Sequence, residues 1–147
     1  MAPHLSLPAD TALGYNLRLT DEMLRARLQE RLTLSGVRLA QWQYLRVLWE
    51  RDGISQQELG QRVSRLGPNT GTALGILERN GFVRRERSRR DRRVVRVYLT
   101  QKARAKQDEM IRAAVEAIDA ATAGLDESDL VVLMRILRKM QQNLTRM

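Results

Sequence analysis

The chain has 147 residues, of which 43% are hydrophobic, and a formal net charge of +9, so we expect one globular domain with a real core and an affinity for polyanions. It has no cysteine and one histidine, His4 near the N-terminus, which excludes disulfides, thiol chemistry, histidine metal clusters and catalytic triads, and predicts no metal or other cofactor. Because the sequence shows neither a long apolar run nor a signal-peptide pattern, no membrane contact is expected and the cytoplasm is the expected compartment.

Apolar residues recur at helical spacing in the N-terminal third. Between Thr11 and Leu32, five leucines fall on one face of a predicted first helix. Ser35-Gly36 interrupts that pattern, and a second helix is predicted to end near Asp52-Gly53. Its apolar positions are Leu39, Trp42, Leu45, Leu48 and Trp49.

Two short helices joined by a turn are predicted next. Ser55 suits an N-cap and Glu58 would complete a capping box for a third helix that ends near Val63. After a break, Pro68 suits the first turn of a fourth helix, which Gly81 would end. Two helices with this spacing match a helix-turn-helix, whose second helix can enter a major groove. In the fourth helix the inward positions are Thr70, Ala73, Leu74 and Leu77, and the outward ones are Asn69, Thr72 and Ile76.

A β-hairpin with a high positive charge follows. Phe82 and Val83 lead out, and on the return Val95, Val97 and Leu99 alternate with Arg96 and Tyr98. From Arg84 to Arg96, eight arginines against two carboxylates give +6 of the chain's +9. Such clustering indicates a surface that binds phosphates. A solvated charged hairpin is the alternative, which the adjacent helix-turn-helix disfavours.

The C-terminal third predicts two more helices. Thr100 would cap a fifth helix that runs to about Ala123, and Asp126 with Asp129 would cap a sixth. The apolar stripes of the first, fifth and sixth helices come from both ends of the chain and need mutual burial. A twofold dimer with intertwined terminal helices provides it, and an intrachain bundle is the alternative. The two C-terminal stripes are Met110, Ile111, Ala114, Val115 and Ile118, then Leu130, Leu133, Met134, Leu137, Met140 and Leu144.

Several motifs together resemble the MarR family of winged-helix regulators. They are Gln41-Trp42, residues 54–59, residues 77–85, Asp91-Arg92-Arg93 and Leu99-Thr100. The Asp-x-Arg motif followed by Leu-Thr is the most specific of them. The resemblance implies a mainly α (α+β) winged helix-turn-helix with flanking helices that form a dimerisation bundle, and a very short strand at Ile54 beside the wing. The predicted organisation is a single domain, 1–147, with a DNA-binding lobe at 38–100 and dimerisation helices at 11–34 and 101–147.

Candidate DNA contacts lie on the two helices and the hairpin tip. Asn69 can pair with adenine and Thr72 with a phosphate or a thymine methyl. Gln56 and Gln57 can donate to phosphate at a helix N-terminus, although a solvated surface pair is equally consistent. From the family motif, Arg93 would enter the minor groove with Asp91 orienting it. The remaining candidates, from family positions and local charge, are Gly67, Pro68, Thr70, Arg89, Arg90 and Arg92.

The fourth helix also departs from the family pattern. Leu66 and Gly67 stand where the family commonly has a serine cap and a longer polar residue. Gly71 and Gly75 lie inside the helix, and each costs about 1 kcal/mol relative to alanine. They indicate either a close backbone approach to DNA or a neighbouring helix, or a tolerated weak helix.

A ligand site is predicted on the second helix. Arg46 shares a helical face with Trp42 and Trp49, so it could bind an anion in an aromatic cleft. Alternatively, its stem packs on the surface and its head stacks on an indole. The resemblance implies that small aromatic acids release DNA from such a cleft. Further candidate lining residues are Tyr15, Arg18 and Tyr44.

The function expected from these patterns is a homodimeric, sequence-specific regulator of transcription. It would be a ligand-responsive repressor on a pseudo-palindromic operator in double-stranded DNA. The alternative is a basic winged-helix protein that binds RNA or nucleic acid non-specifically, which is disfavoured because the basic stretch of the hairpin, Arg84 to Arg96, has no aromatic residue for stacking. An enzyme is not predicted, because no pair of carboxylates stands out from ordinary surface charge.

Overall fold

Seven helices and one two-stranded antiparallel sheet form the described chain. This computed structural model describes residues 8, 12–64 and 69–146. The predicted mainly α winged-helix class is confirmed, and none of the described helices is long and apolar enough to cross a membrane. The elements are α1 Leu13–Thr33, α2 Leu39–Glu50, α3 Gln56–Val63, α4 Thr70–Arg79, β1 Val83–Arg87, β2 Val95–Leu99, α5 Gln101–Ala105, α6 Gln107–Ala121 and α7 Glu127–Thr145.

The helix boundaries follow local capping chemistry. Ser55 Oγ accepts from the Glu58 N–H at 3.1 Å, as predicted. The capping box is only half formed, because the Glu58 carboxylate accepts from Arg62 at 2.9 and 3.1 Å instead. Asp126 and Asp129 form the complete reciprocal cap predicted for α7. The helix ends in turn follow the glycines, since Gly81 and Gly124 adopt φ of +77° and +84°.

The wing is a regular antiparallel pair. Val83 lies opposite Leu99, and Arg87 opposite Val95. The predicted strand at Ile54 is wrong in extent, since the structure has a single bridge between Ser55 and Arg96. The Ile54 carbonyl does accept from the Val97 N–H at 3.0 Å. The extended segment stops there because Ser55 is already the N-cap of α3.

The predicted fifth helix is two helices in the structure. Thr100 Oγ1 caps the first of them, accepting from the Ala103 N–H at 3.3 Å. The break lies at Lys106, with φ −91° and ψ −5°, and α6 ends at Ala121 rather than near Ala123.

The single apolar stripe predicted for this region is also wrong, because its residues divide between a buried face and an exposed face of α6. Met110 is fully buried, whereas Ile111, Val115 and Ile118 are 39%, 50% and 48% exposed. The three exposed residues follow i, i+4, i+7 spacing, so they form an apolar line of their own.

One core holds the wing and the helices around it. By its contacts the chain divides into two compact units, Met1–Ala117 and Ile118–Met147. In the first unit, α2 supplies Leu45 and Leu48 to a core shared with α3, α4 and the sheet. In the second unit, no residue of α7 is buried. The largest fully buried side chains of the core include Leu32, Leu59, Leu74, Leu77, Phe82 and Val97.

Candidate nucleic-acid interface

The two helices of the helix-turn-helix meet closely at one point. A Cβ atom on Gly60 of α3 would lie 2.6 Å from Thr70 Oγ1 at the start of α4. The buried Tyr44 of α2 donates from its hydroxyl to the same Thr70 oxygen at 3.4 Å. Thr70 is therefore half-buried and belongs partly to the packing that sets the position of α4.

A groove with a volume of about 740 Å³ opens between α3, the start of α4 and the wing. It brings together four of the predicted DNA contacts, Gln56, Gln57, Thr70 and Arg93. Gln61, which sequence reasoning missed, lies four residues after Gln57, so helical spacing alone could have indicated it. The other lining residues are Ser55, Gly60, Ser64, Val94 and Val95.

The start of α4 presents an exposed polar surface. Asn69 and Thr72 are exposed, and Asn69 is the N-cap although its side chain makes no capping bond. The carboxamide of Asn69 therefore does not serve the helix end. The predicted contacts Gly67 and Pro68 lie outside the described residues, as does Leu66.

At the wing tip, Asp91 holds Arg93. Asp91 Oδ1 accepts from Arg93 N and Nε, and Oδ2 accepts from Nη2, each at 3.1 Å. The hydrogen bonds from the guanidinium and then from the backbone hold the pKa of Asp91 below its ordinary value. The side chain of Arg93 is nevertheless 91% exposed. It is thus oriented by its neighbour while its guanidinium remains open to solvent.

The eight arginines of the hairpin divide into two groups. One group is engaged along the strands: Arg84 lies 4.5 Å from the Tyr98 ring centroid, Arg87 donates to the Arg92 carbonyl, and Arg96 donates to the Gly53 carbonyl. Arg85, also in this group, bonds to Glu78. The second group is exposed at the tip and consists of Arg89, Arg90, Arg92 and Arg93. The tip therefore carries four exposed arginines, of which Arg93 is oriented by Asp91.

The residues predicted to line a ligand cleft occur in separate groups. Trp42 and Trp49 meet edge to face, with ring centroids 5.5 Å apart, and Arg46 is exposed. Tyr44 is buried and bonds to Thr70, so it faces the helix-turn-helix rather than a site beside Arg46.

Tyr15 and Arg18 form a pair of their own. The Arg18 guanidinium lies 5.5 Å from the Tyr15 ring centroid and donates to Glu22 at 2.8 Å. Among the described residues, the aromatic ring beside the Arg18 guanidinium thus belongs to α1 itself.

Comparison with known proteins agrees with this geometry. The MarR family model matches residues 37–95. The curated relative TtmR, an HTH-type transcriptional regulator of Methylorubrum extorquens (strain PA1), is 42% identical over 73 residues. That match covers 48% of this chain and only 36% of the length of TtmR.

Solved structures match over nearly the whole chain. A MarR transcriptional regulator from Methanosarcina mazei Go1 has a TM-score of 0.81 at 25% identity, covering 92% of this chain and 98% of that one. The transcriptional regulator PA3341 has a TM-score of 0.78 at 32% identity, covering 91% of this chain and 98% of that one.

The helix-turn-helix, the hairpin and the basic tip define a winged-helix protein of the class that regulates transcription. With the family match and the similarity to these solved structures, the chain belongs to the MarR family.

Proposed function

We propose that this chain binds double-stranded DNA as a homodimeric repressor, on a pseudo-palindromic operator, and leaves it when a small aromatic acid binds. The observation that carries the proposal is the groove between α3, α4 and the wing. It adjoins the exposed start of α4 on one side and the Asp91–Arg93 pair on the other. A helix end for the major groove and an oriented guanidinium for the minor groove thus lie on neighbouring elements.

Each predicted DNA contact has a proposed role. Asn69 and Thr72 contact base edges in the major groove, and Arg93 enters the minor groove with Asp91 as its support. Phosphate contacts fix the position of the protein on the duplex. The residues proposed for phosphates or the adjacent backbone are Gln56, Gln57, Gly67, Pro68, Thr70, Arg89, Arg90 and Arg92.

Exposed apolar side chains support a homodimer. On α6, Ile111, Val115 and Ile118 form an apolar line that is 39–50% exposed. The second unit adds exposed apolar residues of α7, among them Val131 at 61% and Leu144 at 71%. A soluble monomer rarely leaves so many large apolar groups in water. A second copy that covers them would also supply a second α4. A palindromic site has two half-sites, one for each copy of that helix.

A partly buried indole supports the effector. Trp49 Nε1 is buried and has no hydrogen-bond partner among the described residues, whereas buried donors are nearly always paired. The proposed carboxylate would bind the exposed Arg46, three residues before Trp49 on α2, and would accept from the indole only once that indole opens to it. Such a ligand can weaken operator binding only to the extent that it binds the DNA-free form of the protein more tightly than the DNA-bound form.

Selection of bound duplexes from random DNA tests the main proposal. A palindromic consensus is expected, because two related recognition helices read two half-sites. Enrichment without a consensus, together with equal affinity for RNA, would instead support a non-specific nucleic-acid-binding protein.

Tryptophan fluorescence tests the effector separately. A panel of benzoates, cinnamates and phenylacetates is titrated with and without operator, and Arg46→Ala is the control. We expect one saturable ligand whose affinity falls about tenfold with operator, which corresponds to roughly 1.4 kcal/mol of coupling. An affinity indifferent to both operator and Arg46→Ala would refute the effector site.

A further inference from the structure

Arg85 connects three elements of the helix-turn-helix and wing. It lies on β1, with its side chain 28% exposed. Its Nη2 donates to Glu78 Oε1 at 3.1 Å, and its backbone N–H donates to Glu78 Oε2 at 2.9 Å. Its Nη1 donates to Gln56 Oε1 at 3.4 Å. Glu78 is in the last turns of α4 and Gln56 is the first residue of α3.

This contact determines which way the amide of Gln56 points. A guanidinium has only donors, so the carboxamide group that faces Arg85 must be the oxygen. The Nε2 amino group then points away from Arg85. It lies 3.7 Å from where a Cβ on Gly71 would stand, in the exposed first turn of α4. Because Gln56 also lines the groove, its two donor hydrogens are presented at the edge of the proposed DNA surface.

Glu78 holds the Arg85 side chain in place. Both carboxylate oxygens accept from Arg85, one from the side chain and one from the backbone. The hydrogen bond from the Arg85 side chain is the largest cause of a Glu78 pKa below its ordinary value. Arg85 is therefore committed to partners within the protein, with bonds to Glu78 and Gln56.

We propose that Arg85 is a positioning residue for DNA binding, which turns the carboxamide of Gln56 so that Nε2 donates to a DNA phosphate beside the N-terminus of α3. This inference rests on the proposed DNA contact of Gln56. A preset amide does not have to be ordered when DNA binds, so orientation raises affinity without a new contact.

A double-mutant cycle on the selected operator duplex tests it. Arg85→Lys keeps the net charge, but a single ammonium cannot reproduce the fork that joins Glu78 and Gln56. Gln56→Ala is expected to weaken operator binding about tenfold, as for a hydrogen bond to a charged group. Arg85→Lys should weaken it several-fold in the wild-type background and less than about twofold in the Gln56→Ala background.

Two controls separate positioning from a general structural effect. Gln57, the exposed next residue of α3, is the matched site, so Arg85→Lys should retain its full effect in a Gln57→Ala background. Glu78→Gln weakens the ion pair that holds Arg85. It should therefore weaken operator binding in the wild-type background and have little effect in the Gln56→Ala background. Unfolding midpoints of all variants report whether folding has changed.

Amide resonances provide a readout that needs no DNA. In ¹H–¹⁵N spectra of the free protein, Arg85→Lys should move the side-chain NH₂ pair of Gln56, assigned by its loss in Gln56→Ala, and leave the pair of Gln57 in place. If Gln56→Ala does not affect operator affinity, the proposed contact and this inference both fail. If Gln56→Ala weakens operator binding, but Arg85→Lys weakens it by the same factor in the Gln56→Ala background as in the wild type, the contact stands and the positioning role is overturned.

Discussion

Thr70 on α4 occupies the space beside Gly60 on α3, since a Cβ on Gly60 would lie 2.6 Å from Thr70 Oγ1. A methyl group at residue 60 would therefore require the Thr70 side chain, which accepts from Tyr44, to move. Gly60→Ala should lower the free energy of unfolding by about 1–3 kcal/mol, because overpacking outweighs the gain in helix propensity. Urea denaturation measures this change. Equal or higher stability would contradict a costly steric conflict between residue 60 and Thr70.

Gly75 in α4 should behave in the opposite way. The nearest heavy atom to a Cβ on Gly75 is Arg85 Nη2 at 3.9 Å, an ordinary contact. Gly75→Ala should therefore raise the free energy of unfolding by up to about 1 kcal/mol. Denaturation measures that gain, and operator titration separates the two interpretations of this glycine. Unchanged affinity would indicate a tolerated weak helix, whereas a large loss would indicate that DNA approaches the backbone there.

Asn69 is expected to contribute more to specificity than to overall affinity. Asn69→Ala should reduce the preference for operator over random duplex by about 1–3 kcal/mol while non-specific binding changes little, because base contacts specify and phosphate contacts position. Competition binding with both duplexes measures the two quantities. Equal losses on operator and random DNA would contradict a base contact.

Arg93 is expected to bind the minor groove. Arg93→Ala should weaken operator binding by about 1–3 kcal/mol and relax the preference at the outer A·T positions of the site. Arg92→Ala is the neighbouring control: it should weaken all duplexes alike, as a phosphate contact does. Footprints and affinities that are unchanged in Arg93→Ala would show that the wing is assigned wrongly.

The exposed line on α6 should form part of a dimer interface. Light scattering of the wild type should give about twice the chain mass of 16.9 kDa, and Val115→Asp should shift the protein towards monomer because it buries an unpaired charge. Ala120→Asp, at an exposed position about 140° further round the same helix, is the control for an added charge and should have less effect. A wild type of monomer mass at every concentration would exclude the dimer.

Local signals in the sequence were sufficient for most element boundaries. The N-caps at Ser55, Thr100 and Asp126 and the helix end at Gly81 each depend on residues within about four positions, so the chain itself specifies them. The same holds for the wing strands, where alternation of side chains is a local property. The charge of the hairpin and the Asp91–Arg93 pair, two residues apart, also belong to this class.

Relationships between elements were decided by tertiary packing. The sequence could not show that α6 turns Met110 to the core and Val115 outward, because both fit one helical stripe and only the neighbours of α6 select the buried face.

The same limit applies to the site. The approach of Gly60 to Thr70 and the bond from Arg85 to Gln56, 29 residues apart, arise where packed elements meet. Spacing along a chain determines which residues share a face. Which groups come within hydrogen-bond distance across two elements depends on how those elements pack against the core.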